Sequence, residues 1–281
     1  MERFAKIVCT LGPSSNSQEA IQSLIAAGMN VARLNFSHGT HEAHGHLIEI
    51  IRKISEQSGL AITILQDLQG PKLRIGKLEG ESILLKAGDD VVLSSSESFE
   101  IEDGEIFIPF EVPDLHKALK PGNHILLDDG NLEMEVRSVN GEKIEAVVTL
   151  GGILKSNKGV NLPGANLTTP IFTEKDRNDL RFGLESGVDM VAISFVRNAK
   201  DIQTVREAIR ELAESEAGKK TPIIAKLERP EALEDLQDIM DVTDGVMVAR
   251  GDLGVEMSPA AVPIAQKEII SSANANARLV I

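Results

Sequence analysis

The sequence predicts an α/β fold, a (β/α)8 TIM barrel truncated within strand seven and carrying an inserted small β-barrel domain. Three observations predict it. Short apolar strands alternate with amphipathic helices along most of the chain, which implies a parallel sheet. That rhythm breaks once, from about Gly70 to Pro163, and period-two alternation replaces it. Strand one is followed by Leu11-Gly12-Pro13-Ser14-Ser15, not by the Gly-rich turn usual in an open doubly wound sheet, and no GxxxxGK[ST] occurs.

The elements follow in order. Lys6–Leu11 reads as the first strand. A helix opens near Ser17 with Ile21, Leu24 and Ile25 on one face, and Gly28 stops it. Asn30–Phe36 is the second strand, and a helix over about His41–Gln57 turns Ile48, Ile51 and Ile54 inward. Leu60–Gln66 is apolar almost throughout, as a strand covered on both faces should be. In the altered stretch, Leu132-Glu133-Met134-Glu135-Val136 alternates, and Asn140-Gly141 turns the chain into Ile144–Val148, a hairpin signal. Asp128-Asp129-Gly130-Asn131 is another turn. The βα rhythm resumes with a helix over Thr173–Ser186, then strand Val188–Ser194, helix Ala199–Ser215, strand Pro222–Leu227 and helix Pro230–Met240. Strand Asp244–Ala249 and helix Pro259–Ala277 lead to a last strand at Arg278–Ile281. The expected domains are an incomplete barrel, residues 1–69 and 164–281, and an inserted β domain, residues 70–163. An eight-fold barrel needs one more unit than these seven strands supply. Strands one and seven would then be exposed edges, an aggregation liability.

Composition narrows the function classes. The 281 residues and 42% hydrophobic content allow a sizeable core, and the single cysteine, Cys9, excludes a disulfide framework. No signal-peptide core follows Met1–Lys6, and no apolar run approaches the roughly 18 residues of a membrane span. A cytoplasmic protein is expected. A net charge of −14 argues against nucleic acid as a partner. Anionic metabolites stay possible where cations converge.

Barrel chemistry sits at the C-terminal ends of strands. Arg33-Leu34-Asn35-Phe36-Ser37-His38 ends strand two, and Asp67-Leu68-Gln69-Gly70-Pro71-Lys72-Leu73-Arg74 follows strand three. Lys226-Leu227-Glu228 ends strand five, and Ala249-Arg250-Gly251-Asp252 ends strand six. Glu228 and Asp252 are hard oxygen donors suited to Mg²⁺, although capping or solvated acids would look the same. Lys226 lies two residues before Glu228, so both face one side of the strand. It would stabilise charge on a substrate oxygen, or simply pair with Glu228. Gly251 would let the backbone approach a ligand, or form a tight turn. Arg33 and Arg74 would clamp phosphates, or close the barrel floor. His38, His41, His44 and His46 lack acids or thiols completing a ligand set and read as a solvated helix face.

Five segments resemble the pyruvate kinase family: Lys6–Ser15, Gly28–Gly39, Asn157–Gly164, Ile224–Glu228 and Met247–Glu256. The resemblance spans nearly the whole chain. It implies a (β/α)8 barrel with a β domain inserted after strand three, and phosphoryl transfer from phosphoenolpyruvate to ADP, giving pyruvate and ATP in glycolysis. By the same resemblance, Lys226 and Arg33 act in catalysis and on the substrate phosphate. Gly251 and Asp252 hold the substrate carboxylate, Asn35, Arg74 and Lys158 contact the nucleotide, and Glu228 and Asp252 bind Mg²⁺ or Mn²⁺. Many members bind K⁺ at positions matching Asn35, Ser37, Asp67 and the Leu68 carbonyl, and carry Glu where this chain has Lys72. The Lys72 ammonium would replace the ion's charge, making K⁺ dispensable. The family continues with a threonine-bearing loop, an eighth strand and a C-terminal domain, and full-length members are expected to form homo-tetramers. The truncated chain is therefore expected to be weakly active or inactive. Two other readings stand beside this one. A Mg²⁺-dependent lyase or aldolase acting on pyruvate enolates would need neither the inserted domain nor Lys158. An inactive fragment would be no enzyme at all.

Overall fold

The computed structural model describes residues 4–95, 105–112, 114–165 and 170–281; the expected start at Met1–Arg3 lies outside them. The chain divides into two compact units. The first comprises Met1–Pro71, Pro170–Ala249 and Ile264–Ile281, and the second Lys72–Thr169 with Arg250–Pro263.

The first unit is built on one seven-stranded sheet. Its strands run Val8–Leu11, Val31–Asn35, Thr63–Asp67, Met190–Ile193, Ile223–Leu227, Gly245–Val248 and Leu279–Val280, neighbours in that order. Every pairing is parallel. Parallel neighbours need crossovers, and the helices supply them. Gln18–Ala27 begins at Ser17, whose side chain accepts from the Ala20 amide, and stops at Gly28 with φ 107°. His41–Ser58 begins at Thr40 in the same way and buries Leu47, Ile48, Ile51 and Ile54 against the sheet. Each such side chain contributes about 1.5–3 kcal/mol of burial. Glu174–Glu185 carries a reciprocal capping box between Thr173 and Asp176.

The sheet's other face positions the chemistry. Successive residues of a strand point to opposite faces, so 31, 33 and 35, 65 and 67, 190, 192 and 194, and 224, 226 and 228 each share one. At the strand beginnings that face is apolar: Leu65, Ala192 and Ile224 form a small cluster with Val31, Met190 and Met247. Toward the strand ends the same face becomes Arg33, Asn35, Asp67, Ser194, Lys226 and Glu228. The cross-strand register Asn35 to Asp67 and Lys226 to Met247 keeps these ends level.

Two helices end differently from expectation. The segment expected as one helix over Pro230–Met240 is two, Glu231–Glu234 and Leu236–Val242, because Asp235 leaves helical geometry and its Oδ2 accepts the Ala199 amide at 2.8 Å. The helix expected to reach Ser215 stops at Leu212, where Ala213 turns extended.

The second unit has a six-stranded sheet in the order Val160–Asn161, His124–Leu127, Leu132–Asn140, Lys143–Leu150, Asp90–Ser94, Ile106–Pro109, and a two-stranded sheet of Gly152–Lys155 with Ser82–Leu85. Its core includes Ile75, Leu93, Ile108, Ile125, Met134 and Leu154. The expected alternation holds: Leu132, Met134 and Val136 are buried while Glu133 and Glu135 between them are not. A short helix, Arg250–Glu256, stands where a turn into the next helix was expected. Asn161 Nδ2 donates to Glu256 Oε1 at 2.8 Å within this unit.

Candidate active site

In the first unit the sequence-derived residues converge on one buried ion network. Arg33 donates from Nε to Asp67 Oδ2 at 2.6 Å and from Nη1 to Thr10 Oγ1 at 2.8 Å, and Nη2 lies 2.5 Å from Asp67 Oδ2. Lys226 Nζ is 2.7 Å from Glu228 Oε1 and 3.3 Å from Asp67 Oδ1. Its relative exposure is 8%, against 2% for Glu228 and 1% for Asp67. Burial alone would push the Lys226 ammonium down, but the carboxylates of Glu228 and Asp67 outweigh it and hold its pKa above the ordinary lysine value. Lys226 is therefore a fixed cation near neutral pH, suited to stabilising negative charge and unsuited to taking a proton.

Two residues of this network escaped the sequence reading. Ser194 Oγ accepts from Lys226 Nζ at 2.7 Å and donates to the Leu68 carbonyl at 2.8 Å. The Phe195 amide donates to Glu228 Oε2 at 2.8 Å. Both follow the fourth strand, Met190–Ile193, at a rim position like those that carry Asn35, Asp67 and Glu228 at the ends of other strands.

Asn35 Oδ1 accepts from the Ser37 amide at 3.1 Å, and Asn35 lies in register with Asp67. Among the oxygens expected to meet a monovalent cation, Asp67 Oδ1 has no hydrogen bond among the described residues. A buried carboxylate oxygen that meets Lys226 Nζ only at ion-pair distance, next to the Leu68 carbonyl in sequence and in register with Asn35 on the neighbouring strand, fits cation chemistry. Glu228 likewise fits Mg²⁺, which takes one or two carboxylates and completes its shell with water and substrate oxygens.

In the second unit Arg74 and Lys158 lie together. Arg74 pairs with Gly159 through a β-bridge, and its Nη1 donates to the Asn157 carbonyl at 2.7 Å. Lys158 Nζ donates to Asp128 Oδ1 at 2.6 Å. Lys72 belongs to this unit, its side chain running past Gly159. Gly251 and Asp252 sit exposed in the first turn of Arg250–Glu256. Gly251 follows a tight connection in which the strand ends at Val248 and the helix begins at Arg250. It has no left-handed φ, and a Cβ there would meet nothing within 4 Å.

The histidines require one correction. His38, His41 and His46 are exposed as expected, but His44 is buried, stacked on Phe36 at 4.1 Å between ring centroids. It shares the helical stripe of Leu47, Ile48 and Ile51, so the helix period carries it inward. Its Nε2 lies 2.9 Å from the His38 carbonyl, and His41 Nε2 lies 2.7 Å from Asp179 Oδ1. Among the described residues, no three His, Cys, Asp or Glu side chains form a metal cluster, and no helix is long and apolar enough to cross a membrane.

The chain is similar to known proteins along almost its whole length. The family described as "Pyruvate kinase, barrel domain" matches residues 2–281. The chain is 46% identical over 278 residues to pyruvate kinase 2 of Synechocystis, covering 98% of this chain and 46% of that protein. It is 42% identical over 276 residues to a pyruvate kinase of Thermococcus litoralis, covering 98% of this chain and 56% of the relative. A crystal structure of a pyruvate kinase from Cryptosporidium parvum superimposes with a TM-score of 0.92 at 36% identity, covering 98% of this chain and 56% of that one. The chain thus spans about half the length of the curated relatives it matches. An α/β sheet with a charged rim, and a family match along almost every residue, lead to one conclusion: the chain belongs to the pyruvate kinase family.

Proposed function

We propose that the protein transfers the phosphoryl group of phosphoenolpyruvate to ADP, yielding ATP and pyruvate in the cytoplasm. The buried network of Lys226 with Glu228, Asp67 and Arg33 carries this reading, because phosphoryl transfer needs positioned charge more than covalent chemistry. In the reaction the bond from phosphorus to the enol oxygen breaks, a bond to the terminal oxygen of ADP forms, and the enolate takes a proton at carbon. Arg33 contacts the substrate phosphate with the N–H groups that Asp67 and Thr10 leave over. Lys226, held as a cation, stabilises the phosphoryl group and then the enolate oxygen. By the match of its motif, the backbone at Gly251 and Asp252 holds the substrate carboxylate. Asn35, Arg74 and Lys158 contact the nucleotide; Lys158 exchanges Asp128 for phosphate.

Glu228 and Asp252 are assigned to Mg²⁺ or Mn²⁺, which when bound neutralises charge on the transferring group. For K⁺ the positions are Asn35, Ser37, Asp67 and the Leu68 carbonyl, with Lys72 making the ion dispensable. In the same proposal, residues 1–69 and 164–281 form an incomplete (β/α)8 barrel, and residues 70–163 the β domain inserted into it. The full-length family is expected to form homo-tetramers.

The test is pyruvate formation by the purified full-length protein with each of phosphoenolpyruvate, ADP and Mg²⁺ omitted in turn. Pyruvate is expected only when all three are present. Pyruvate formation independent of ADP would overturn the proposal in favour of a lyase or hydrolase.

A further inference from the structure

The strand Met190–Ile193 runs into Ser194 and Phe195, which the proposed reaction does not use directly. Both hold side chains on which it depends. The Lys226 ammonium has three N–H donors. One points to Ser194 Oγ at 2.7 Å and one to Glu228 Oε1 at 2.7 Å, and the ammonium lies 3.3 Å from Asp67 Oδ1. The Ser194 hydroxyl has a single proton, directed at the Leu68 carbonyl at 2.8 Å, so its lone pairs face Lys226. Ser194 is only 3% exposed, which leaves water little part in this bond.

Phe195 adds an independent observation. Its φ is 58°, a left-handed conformation that a bulky residue rarely adopts and that persists only where its surroundings hold it. The conformation directs its amide onto Glu228 Oε2 at 2.8 Å. Space for the ring exists because residue 70 is glycine: a Cβ there would lie 2.9 Å from Phe195 Cδ2. Gly70 is itself held through its amide, which donates to Asp176 Oδ1 at 3.0 Å.

We infer that Ser194 and Phe195 form a positioning dipeptide: the Ser194 hydroxyl aims the Lys226 ammonium, and the Phe195 amide fixes Glu228 beside it. A lysine on four flexible bonds loses its placement without a fixed acceptor, whereas one held on two sides meets the developing charge already oriented. The hydroxyl also joins Lys226 to the Leu68 carbonyl, one of the oxygens assigned to the monovalent cation. This inference rests on the proposed phosphoryl transfer.

The test uses the full-length protein and three variants, each first checked for a cooperative melt. If the wild-type protein forms no pyruvate from phosphoenolpyruvate and ADP, the underlying reading fails and the inference with it. Given turnover, Ser194→Ala is expected to lower kcat about 10- to 100-fold, the usual effect of losing an outer-shell partner. KM for phosphoenolpyruvate and Mn²⁺ affinity, read by electron paramagnetic resonance, should stay within about twofold, because the lost contact orients the amine without binding substrate. Ser194→Thr keeps the acceptor and should restore most of kcat. Should the threonine variant not melt cooperatively, Ser194→Cys, nearly isosteric but a weak acceptor, should follow alanine. A Ser194→Ala or Ser194→Cys enzyme with wild-type kcat, or joint loss of kcat, Mn²⁺ affinity and melting temperature, overturns the inference.

Discussion

Replacing Lys226 by methionine removes one charge from a nearly dry network while keeping the length of the side chain. Glu228 and Asp67 are 2% and 1% exposed, so neither carboxylate can turn to water. Asp67 retains Arg33, and Glu228 retains the Phe195 amide. The deficit therefore falls mainly on Glu228. Breaking a buried pair from one side costs about 3–5 kcal/mol, and the surviving partners place Lys226→Met near the lower end, about 3 kcal/mol. At about 2–4 °C per kcal/mol, that lowers the melting temperature by roughly 6–12 °C. Urea unfolding of the 281-residue chain at pH 8 and pH 5.5 measures it. The deficit should shrink at pH 5.5, since protonating a buried carboxylate that has lost its cation removes the charge. Adding Glu228→Gln to Lys226→Met should recover much of the loss, a coupling expected of residues in one network. A Lys226→Met chain within about 1 kcal/mol of wild type at pH 8 would show that Lys226 does not offset the buried charge of Glu228, as would a double variant no more stable than the single one.

Three further outcomes follow from other parts of the molecule. Burial holds the His44 imidazole below its ordinary 6.5, so the unfolded chain takes up its proton first as pH falls. Its contribution is full above pH 6.5 and is lost progressively below it. His44→Gln keeps a donor for the His38 carbonyl and should lose less stability than wild type between pH 7 and pH 5 in thermal melts; parallel curves would contradict this. Asp176→Ala removes the capping box and the acceptor of the buried Gly70 amide, and should destabilise by about 2–4 kcal/mol in denaturant titration, with no change there counting against the assignment. In the full-length protein, wild type should keep most of its rate when tetramethylammonium replaces K⁺, while Lys72→Glu should come to require K⁺. Near-total loss of the wild-type rate would show that Lys72 does not stand in for the ion.

Much of the frame was legible because its signals are local. Ser17, Thr40 and Thr173 cap helices, Gly28 ends one, and the stripe of Ile48, Ile51 and Ile54 fixes which face is buried. Period two along Lys226-Leu227-Glu228 placed the two charged side chains on one face, and they pair at 2.7 Å. What escaped depends on contacts distant in sequence. The break at Asp235 follows from its bond to the Ala199 amide, 36 residues away. A serine and a phenylalanine after an apolar strand read as an ordinary strand end, and only folding brings Ser194 against Lys226, 32 residues on. Arg250–Glu256, at seven residues, is too short for a helical period to declare itself. His44 was legible in principle: three residues before Leu47, it continues the apolar stripe, but its polarity outweighed its position.

Phosphoryl transfer at this rim between an enol phosphate and a nucleotide is open to direct observation by phosphorus NMR of the full-length protein with phosphoenolpyruvate, ADP and Mg²⁺. The enol-phosphate resonance should fall as the γ-phosphate of ATP rises in equal amount, with pyruvate formed in step and the conversion abolished by Lys226→Met. Free phosphate appearing in place of ATP, or undiminished conversion by the Lys226→Met protein, would contradict it.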